Sequence, residues 1–263
     1  MKKWFFAALS SLIFAASAAQ AQETDVMEIV TKAIEAMYYQ GGDQKARVEM
    51  SILDKSGRER NRQLILLRRN DGEGYGDQKY YVFFERPSDV KEMVFMALKN
   101  IDHADDRWLY LPALDLVKRI AASDERTSFV GSHFFYEDVS GRNIDEDKHE
   151  LIDTTDEYYI IRSLPKNPED VEFSSYMSRV DRTTFLPMKM EYKDKRDVVY
   201  RVYTVLTVEE IEGHPTITDV EVEDTAMGGK TVLHYSAVQY DVGLPENIFS
   251  ERFLRRPPRQ FLK

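Results

Sequence analysis

The sequence predicts a mainly β, single-domain α+β protein, in which helical segments cover one strongly curved antiparallel sheet. Residues 23–39 follow a helical period, and almost everything after Gly42 reads as short strands separated by turns. Several of these strands are apolar on both faces. Because a sheet with one core needs only one apolar face, the second face requires a further covering layer.

The first 21 residues read as a secretory signal peptide that is removed from the mature chain. Lys2 and Lys3 precede an almost entirely apolar run, and Ala19-Gln20-Ala21 forms a cleavage site. The chain has no cysteine, so we expect neither a lipid anchor nor a disulfide. These features predict a soluble periplasmic domain spanning 22–263.

The charge of the chain excludes one large class of partner. The formal net charge is −10 at pH 7, whereas surfaces that bind nucleic acid are basic. No later apolar run reaches the roughly 20 residues that span a bilayer. We therefore expect no nucleic acid and at most transient membrane contact.

The N-terminal helix is predicted from Glu23 to Tyr39. Thr24 or Asp25 can cap its start, and Gly41-Gly42 ends it. Its apolar positions are Val26, Ile29, Val30, Ala33, Ile34 and Met37.

The strands follow from alternation and from turn residues. A strand around Val48 turns back at residues 54–57, and Gly228-Gly229 marks a second hairpin. The remaining predicted strands are 60–69, 80–85, 93–98, 108–111, 149–154, 158–164, 172–180, 185–193, 198–209, 216–223 and 230–240.

The stretch "DDRWLYLPALDLVKRI", residues 105–120, shows most clearly that a second layer is needed. Residues 108–111 are apolar on both faces, as are 80–84, 93–98 and 198–206. The N-terminal helix, helical segments near 113–116 and 133–138, a partner or a ligand are the candidates for the cover. A curved antiparallel sheet can enclose a ligand cavity beneath such a cover.

The central stretch resembles a known family. "ERPSDVKEM", "RWLYLPALDLVKRI" and "FVGSHFFYED", with the ending "GLPENIFSERFLRRPPR", are similar to the outer membrane lipoprotein-sorting proteins, relatives of the periplasmic carrier LolA and its acceptor LolB. The resemblance implies an unclosed half-barrel sheet with lid helices over an apolar cavity. It also implies binding of lipid or acylated lipoprotein, beside RND-type exporters.

Three positions depart from the family pattern. Glu92-Met93 replaces a Gly-Thr pair, His133 replaces an aspartate, and Phe135 replaces a small polar residue. These changes concern the identity of the ligand more than the fold.

Aromatic and methionine side chains are the candidate cavity wall. Trp and Tyr combine an apolar body with a polar tip, and Met adapts to variable apolar ligands. The alternative for all of them is ordinary core packing. The predicted ligand-binding residues are Phe83, Met93, Phe95, Trp108, Tyr110, Phe134, Met188, Met190 and Tyr192.

Two polar motifs were considered for chemistry. "GSHFFYEDVSGR" carries His133, Glu137 and Asp138, which suit either acid–base catalysis or a helical turn that anchors the lid. We expect the second role, with Phe134 and Phe135 facing inward and the carboxylates either hydrogen-bonded or paired with nearby basic residues. "DHADD", residues 102–106, lacks the spacing of a calcium loop, and we expect a solvated turn between strands there. We expect no enzyme activity, no metal and no cofactor.

The C-terminal segment is basic on an otherwise acidic chain. Arg252, Arg255 and Arg256 form a candidate docking patch for a partner, and the alternative is a solvated tail.

Together these observations predict a periplasmic carrier that binds acyl chains of a lipid or lipoprotein. The expected partners are an RND-type inner-membrane exporter or an outer-membrane acceptor. The alternative is a non-transport interaction module, an exporter adaptor that holds a protein segment in the groove.

Overall fold

The computed structural model describes residues 25–263, and the predicted signal peptide lies outside them. Within this part of the chain, thirteen strands form one antiparallel sheet. The strands are β1 (Asp43–Asp54), β2 (Glu59–Asn70), β3 (Gln78–Arg86), β4 (Val94–Lys99), β5 (Asp106–Leu111), β6 (Leu116–Ile120), β7 (Asp147–Thr154), β8 (Tyr158–Pro165), β9 (Phe173–Asp181), β10 (Pro187–Asp194), β11 (Val199–Ile211), β12 (His214–Asp224) and β13 (Gly229–Tyr240).

Helices are few and short. The α-helices are α1 (Val26–Tyr38), α2 (Tyr136–Ser140) and α3 (Arg252–Arg255). Single 3-10 turns occupy Pro112–Leu114, Ala122–Asp124, Phe129–Gly131, Ile144–Glu146 and Glu246–Ile248. The predicted mainly β class is confirmed, and every predicted strand is present.

The strand order makes the sheet an unclosed half-barrel. It runs β6-β5-β4-β3-β2-β1-β13-β12-β11-β10-β9-β8-β7, so β6 and β7 are the two edges. Residues 121–146, here called the lid segment, leave one edge and enter the other. Side chains of β1, β5, β11 and β13 share one buried cluster with lid residues. The lid segment therefore crosses the concave face of a curved sheet.

Helix α1 adds to this cover. The Asp25 carboxylate accepts a hydrogen bond from the Met27 N–H over 2.9 Å, which caps the helix start as predicted. Its apolar face packs against Ile144, Ile161 and Val180. The helix thus covers the end of the concave face near β7 to β9.

A second core lies on the convex face and was not predicted. Residues 244–263, here called the C-terminal arm, pack against that face of β2 to β5. The arm contributes Leu244, Ile248, Phe249, Leu254 and Leu262, and the sheet contributes Ile65, Leu67, Tyr81, Phe83, Val94 and Met96. The arm is the covering layer that β3, β4 and β5 require, whereas on β11 no described segment forms the predicted second cover and Leu206 is 52% exposed.

Candidate functional site

A cavity of about 130 Å³ lies on the concave face of the sheet. On the scale where one water needs roughly 10–15 Å³, this is space for roughly ten waters. Its apolar wall includes Val48, Met50, Leu64, Leu66, Val82, Phe129, Phe134, Val220 and Leu233. We call it the first cavity.

A second cavity of about 90 Å³ lies beside the first, between α1 and strands β8 to β11. Its wall is also mostly apolar and includes Val30, Ala33, Ile34, Ile144, Ile161, Val180, Pro187 and Met190. Met37, Tyr38, Asp138 and Tyr203 line both cavities, and we call these four residues the waist.

The structure places three of the nine predicted ligand residues in these walls. Phe134 lines the first cavity, and Met190 and Tyr192 line the second. Met93, Phe95 and Met188 belong to the concave-face core but line neither cavity.

Phe83, Trp108 and Tyr110 require a correction, because their side chains belong to the convex-face core under the C-terminal arm. Successive residues of a strand point to opposite faces of the sheet. An error of one position therefore assigns every predicted side chain of that strand to the wrong face. On β5 the residues that belong to the concave-face core are Leu109 and Leu111.

Most residues that line the first cavity were not among the predicted ligand-binding residues. Val48 and Met50 belong to β1. Tyr203 belongs to β11, and Leu233 and Tyr235 belong to β13. The alternation of Val48, Met50 and Ile52 already marked one face of β1 as apolar. Only the pairing of β1 with β13 brings that face opposite Leu233.

An aromatic cluster fixes the first half of the lid segment over the sheet. The ring of Phe129 lies 5.3 Å from that of Phe95 and 5.9 Å from that of Phe84, centroid to centroid. Tyr136 packs edge-on against Phe129 at 5.5 Å. Such pairs add about 0.5–1.5 kcal/mol each beyond the apolar area that they bury.

Buried ion pairs fix the second half of the lid segment. Glu137 accepts hydrogen bonds from Arg126 and from Arg142, the latter over 3.0 Å. Asp138 pairs with Arg201 of β11. The predicted pairing of these two carboxylates with basic residues is confirmed.

The end of the lid segment is also attached to the sheet through lysine. The Lys99 ammonium, buried on β4, donates to the Gly141 carbonyl over 2.7 Å. Burial lowers the pKa of Lys99.

Three lid carboxylates lie close enough together to suggest a cation site, but their partners argue otherwise. Oxygens of Glu125, Glu137 and Glu146 lie within 4.8 Å of one another. Arg107 pairs with Glu125 at 2.7 Å, and Arg142 pairs with Glu146 at 2.6 Å. With Glu137 paired to Arg126 and Arg142, each of the three carboxylates already has an arginine partner.

"DHADD" differs in part from the predicted solvated turn. Asp102 and His103 are exposed, but the Asp105 carboxylate is buried and pairs with Arg107 at 2.7 Å. Asp105 also accepts from the Ser140 hydroxyl over 3.2 Å. This motif therefore connects β5 to the lid segment.

The junction of α1 with the sheet depends on Arg68. Its buried guanidinium lines the first cavity and donates to the carbonyls of Tyr38 and Gln40. Burial lowers the pKa of Arg68. The Arg68 Nε has no hydrogen-bond partner among the described residues.

The three arginines of the predicted docking patch have different surroundings. Arg255 donates to the Asp115 carboxylate over 2.8 Å and lies over the Tyr110 ring. Arg252 and Arg256 are exposed and form no ion pair with another residue of 25–263. The segment is therefore not a free tail, although two of its guanidinium groups face solvent.

Between residues 25 and 263, no helix has both the length and the apolar character needed to cross a bilayer.

Comparison with known proteins gives one family and several similar folds. A family model described only as an uncharacterized protein matches residues 76–256, more than half of the chain. No functionally curated protein matches. Among solved structures, a DUF1329 family protein from Desulfovibrio piger is 27% identical with a TM-score of 0.77, over 87% of this chain and 95% of that one.

Two further solved structures have a similar fold. An outer membrane lipoprotein-sorting protein domain from Vibrio parahaemolyticus is 25% identical with a TM-score of 0.79, over 88% of this chain and 98% of that one. A LolA superfamily protein from Nitrosomonas europaea is 18% identical with a TM-score of 0.66, over 87% and 98%. The second likeness shows the fold alone. Together they confirm the resemblance that the sequence motifs indicated.

Proposed function

We propose that this chain, which belongs to the family whose model matches residues 76–256, is a periplasmic lipid carrier rather than an enzyme. It would hold the acyl chains of a lipid or lipoprotein in the concave cavities and deliver them to a second apolar site. The observation that carries this proposal is an apolar cavity beneath a lid on a carrier-like half-barrel.

The energetics favour delivery by direct contact. Each buried methylene contributes roughly 0.8 kcal/mol, so one long chain contributes on the order of 10 kcal/mol before losses. Such a ligand leaves into water slowly. A carrier of this kind therefore needs a loading partner and an unloading partner, for which an RND-type exporter and an outer-membrane acceptor are suitable.

The exposed arginines supply a candidate surface for this contact. Arg252 and Arg256 lie on the convex side, away from the cavities. A partner could bind them through carboxylates or phosphates without blocking the ligand. Arg255 positions the short helix α3 through Asp115.

The first test is to identify what the protein carries. The protein would be purified from periplasm in mild conditions, weighed by native mass spectrometry, and extracted with organic solvent. We expect a discrete lipid or acyl-peptide mass. Leu66→Glu, which places a charge in the first cavity, should abolish it, whereas Leu206→Glu at an exposed site should not.

A clean protein mass, unchanged after incubation with envelope lipids, would refute the carrier. A stable protein complex with empty cavities would instead support the interaction module.

A further inference from the structure

The three most exposed large hydrophobic side chains of residues 25–263 are all in turns between strands. Met227, Leu114 and Val198 are 74%, 70% and 54% exposed. Each lies between the end of one strand and the start of its neighbour in the sheet. Single exposed hydrophobic residues are ordinary on protein surfaces, so the arrangement of these three matters more than their number.

All three turns lie at the same rim of the sheet. Neighbouring strands are antiparallel throughout, so alternate connections share a rim. The pairing of Asp54 with Gly229 aligns the two halves of the sheet, because it places the β12–β13 turn beside the β1–β2 turn. We call this edge the hairpin rim, and its connections are 55–58, 87–93, 112–115, 166–172, 195–198 and 225–228.

The three apolar turns are widely spaced along the hairpin rim. Six strand spacings separate the turn of Leu114 from that of Met227, and eight separate it from that of Val198. At about 4.8 Å per spacing, these are distances of about 30 and 40 Å along the curved sheet. A broad, flat partner can contact all three turns at once, whereas a peptide or a small molecule cannot.

The two rims of the sheet differ in charge. The connections of the hairpin rim carry six basic and seven acidic residues. The opposite rim, formed by connections 71–77, 100–105, 155–157, 182–186 and 212–213, carries one basic and eight acidic residues. An anionic surface therefore repels the opposite rim and orients the hairpin rim toward itself.

Exposed lysines lie beside two of the apolar turns. Lys55 is next to the turn of Met227, since a Cβ on Gly228 would lie 3.3 Å from the Lys55 Cβ. Lys195 is in the same turn as Val198. Both lysines are exposed and form no ion pair with another residue of 25–263. They are therefore available to an anionic partner.

Arginines of the C-terminal arm lie beside the third apolar turn. The Arg255 guanidinium donates to the carboxylate of Asp115, the residue after Leu114, over 2.8 Å. This contact brings helix α3 to the hairpin rim, together with the exposed Arg252 and Arg256. Each of the three apolar turns thus has basic side chains beside it.

We propose that the hairpin rim docks the protein reversibly on an anionic phospholipid bilayer. Leu114, Val198 and Met227 enter the interfacial layer, and the basic side chains beside them bind lipid phosphates. The lid segment is attached near this rim, because the His133 N–H donates to the Thr231 hydroxyl over 3.0 Å. Docking therefore places one end of the lid beside the membrane. This inference concerns the surface of the protein and does not depend on what the cavities hold.

The first experiment measures binding of the mature protein to vesicles by flotation. One vesicle contains phosphatidylethanolamine and the anionic phosphatidylglycerol, and the other contains only neutral phosphatidylcholine. We expect binding to the anionic vesicle at low ionic strength. It should weaken at least about tenfold on the neutral vesicle and in high salt, because the basic side chains then lose their attraction.

The second experiment removes the apolar contacts. Leu114→Ser/Val198→Ser/Met227→Ser should bind anionic vesicles at least about tenfold more weakly than wild type. The matched control also removes three exposed hydrophobic side chains, but away from the hairpin rim, and should stay within about twofold of wild type: Ile101→Ser/Ile152→Ser/Leu206→Ser. All six positions are exposed, so the melting temperature should show that both variants keep the fold.

The third experiment tests the orientation. The chain has no cysteine, so Leu114→Cys, Val198→Cys and Met227→Cys each accept one environment-sensitive nitrobenzoxadiazole dye. Emission from these three positions should shift to the blue on anionic vesicles and be quenched by spin-labelled lipids. The same dye at Ile101→Cys, on the opposite rim, should not respond. Uptake of a lipid into the cavities leaves all four dyes in water, so the dyes report docking alone.

The outcomes separate this inference from the proposed function. If wild-type protein does not bind anionic vesicles, docking is wrong, while native mass spectrometry of the bound cargo still decides the carrier. If both triple variants lose binding equally, or if the dye at Ile101→Cys also enters the bilayer, the proposed orientation is wrong. If vesicles are not bound and the rim variant instead loses a protein partner that the control keeps, the rim is a protein interface and the membrane inference is wrong.

Discussion

Arg142 and Glu137 form an ion pair inside the lid segment, with Arg142 Nη1 donating to Glu137 Oε1 over 3.0 Å. Only 4% of the Glu137 side chain is exposed. Burial opposes ionisation of Glu137, but Arg126 and Arg142 outweigh it and lower the pKa of this carboxyl. The second half of the lid is therefore held by a buried negative charge.

Glu137→Gln should destabilise the protein by roughly 3 kcal/mol at pH 7, because it leaves two buried guanidinium groups without this partner. Urea unfolding measures the loss. A group with a lowered pKa contributes stability above its unfolded-state pKa, so the difference between wild type and variant should shrink as the pH falls below about 4.5. Asp197→Asn, in an exposed pair with Lys193, is the control and should change stability by less than about 0.5 kcal/mol. Equal effects of the two substitutions would contradict this role of Glu137.

Glu146 should give the opposite dependence on pH. Burial, with the nearby carboxylates of Glu137 and Glu125, raises the pKa of Glu146 from 4.5 to about 7, although Arg142 opposes the shift. A raised acid pKa means that the folded state binds the extra proton, so stability falls as the pH rises between 4.5 and about 7. The side chain is 41% exposed, so solvent screening reduces the size of this effect.

Glu146→Gln removes the titration. The variant should become more stable relative to wild type as the pH rises through this window, and the gain should level off above pH 7. Thermal unfolding at a series of pH values checks the expectation. A difference that does not vary with pH would show that Glu146 titrates normally.

The C-terminal arm should be needed for the integrity of the convex core. Leu254 is fully buried in the arm, and Leu254→Ala should cost about 2–5 kcal/mol. Trp108 is the only tryptophan in residues 22–263 and lies beneath the arm, so its fluorescence should shift to the red if the arm detaches. Leu206→Ala, at a position 52% exposed, is the control and should leave both stability and emission unchanged. An unchanged spectrum in destabilised Leu254→Ala would indicate that the arm stays in place.

The turn between β12 and β13 should be sensitive at Gly229 in particular. A Cβ at Gly229 would lie 2.8 Å from the Leu53 carbonyl oxygen and 2.8 Å from the lid residue His133, at φ +107°. Gly213 also has a positive φ, but nothing lies within 4 Å of its Cβ position. Gly213→Ala should cost about 1 kcal/mol from backbone strain alone. Gly229→Ala should cost measurably more in the same unfolding assay, and an equal loss would contradict the contact with His133.

Local patterns were sufficient for the elements of the fold. Alternation, turn residues and the cap at Asp25 depend on neighbours in the sequence, and they predicted α1 and every strand except β6. The family motifs added the half-barrel and the lid, and "FFYED" identified the segment that crosses the concave face. The lid carboxylates were assigned correctly because a buried charge requires a partner of opposite sign.

The orientation of individual strands could not be predicted in the same way. Where both faces are apolar, as at residues 108–111, alternation carries no information about which face meets the cavity. Phe83, Trp108 and Tyr110 were therefore placed on the cavity side, whereas the structure places them under the C-terminal arm.

The sequence by itself determined the class of fold, the order of its elements and the need for a second covering layer, because these follow from composition and short-range periodicity. Only the tertiary structure decided what forms that layer and where the cavity lies. Tyr38, Asp138 and Tyr203 are brought together between the two cavities by strand order and by the path of the lid segment. Such contacts join residues far apart in the chain, and no local pattern records them.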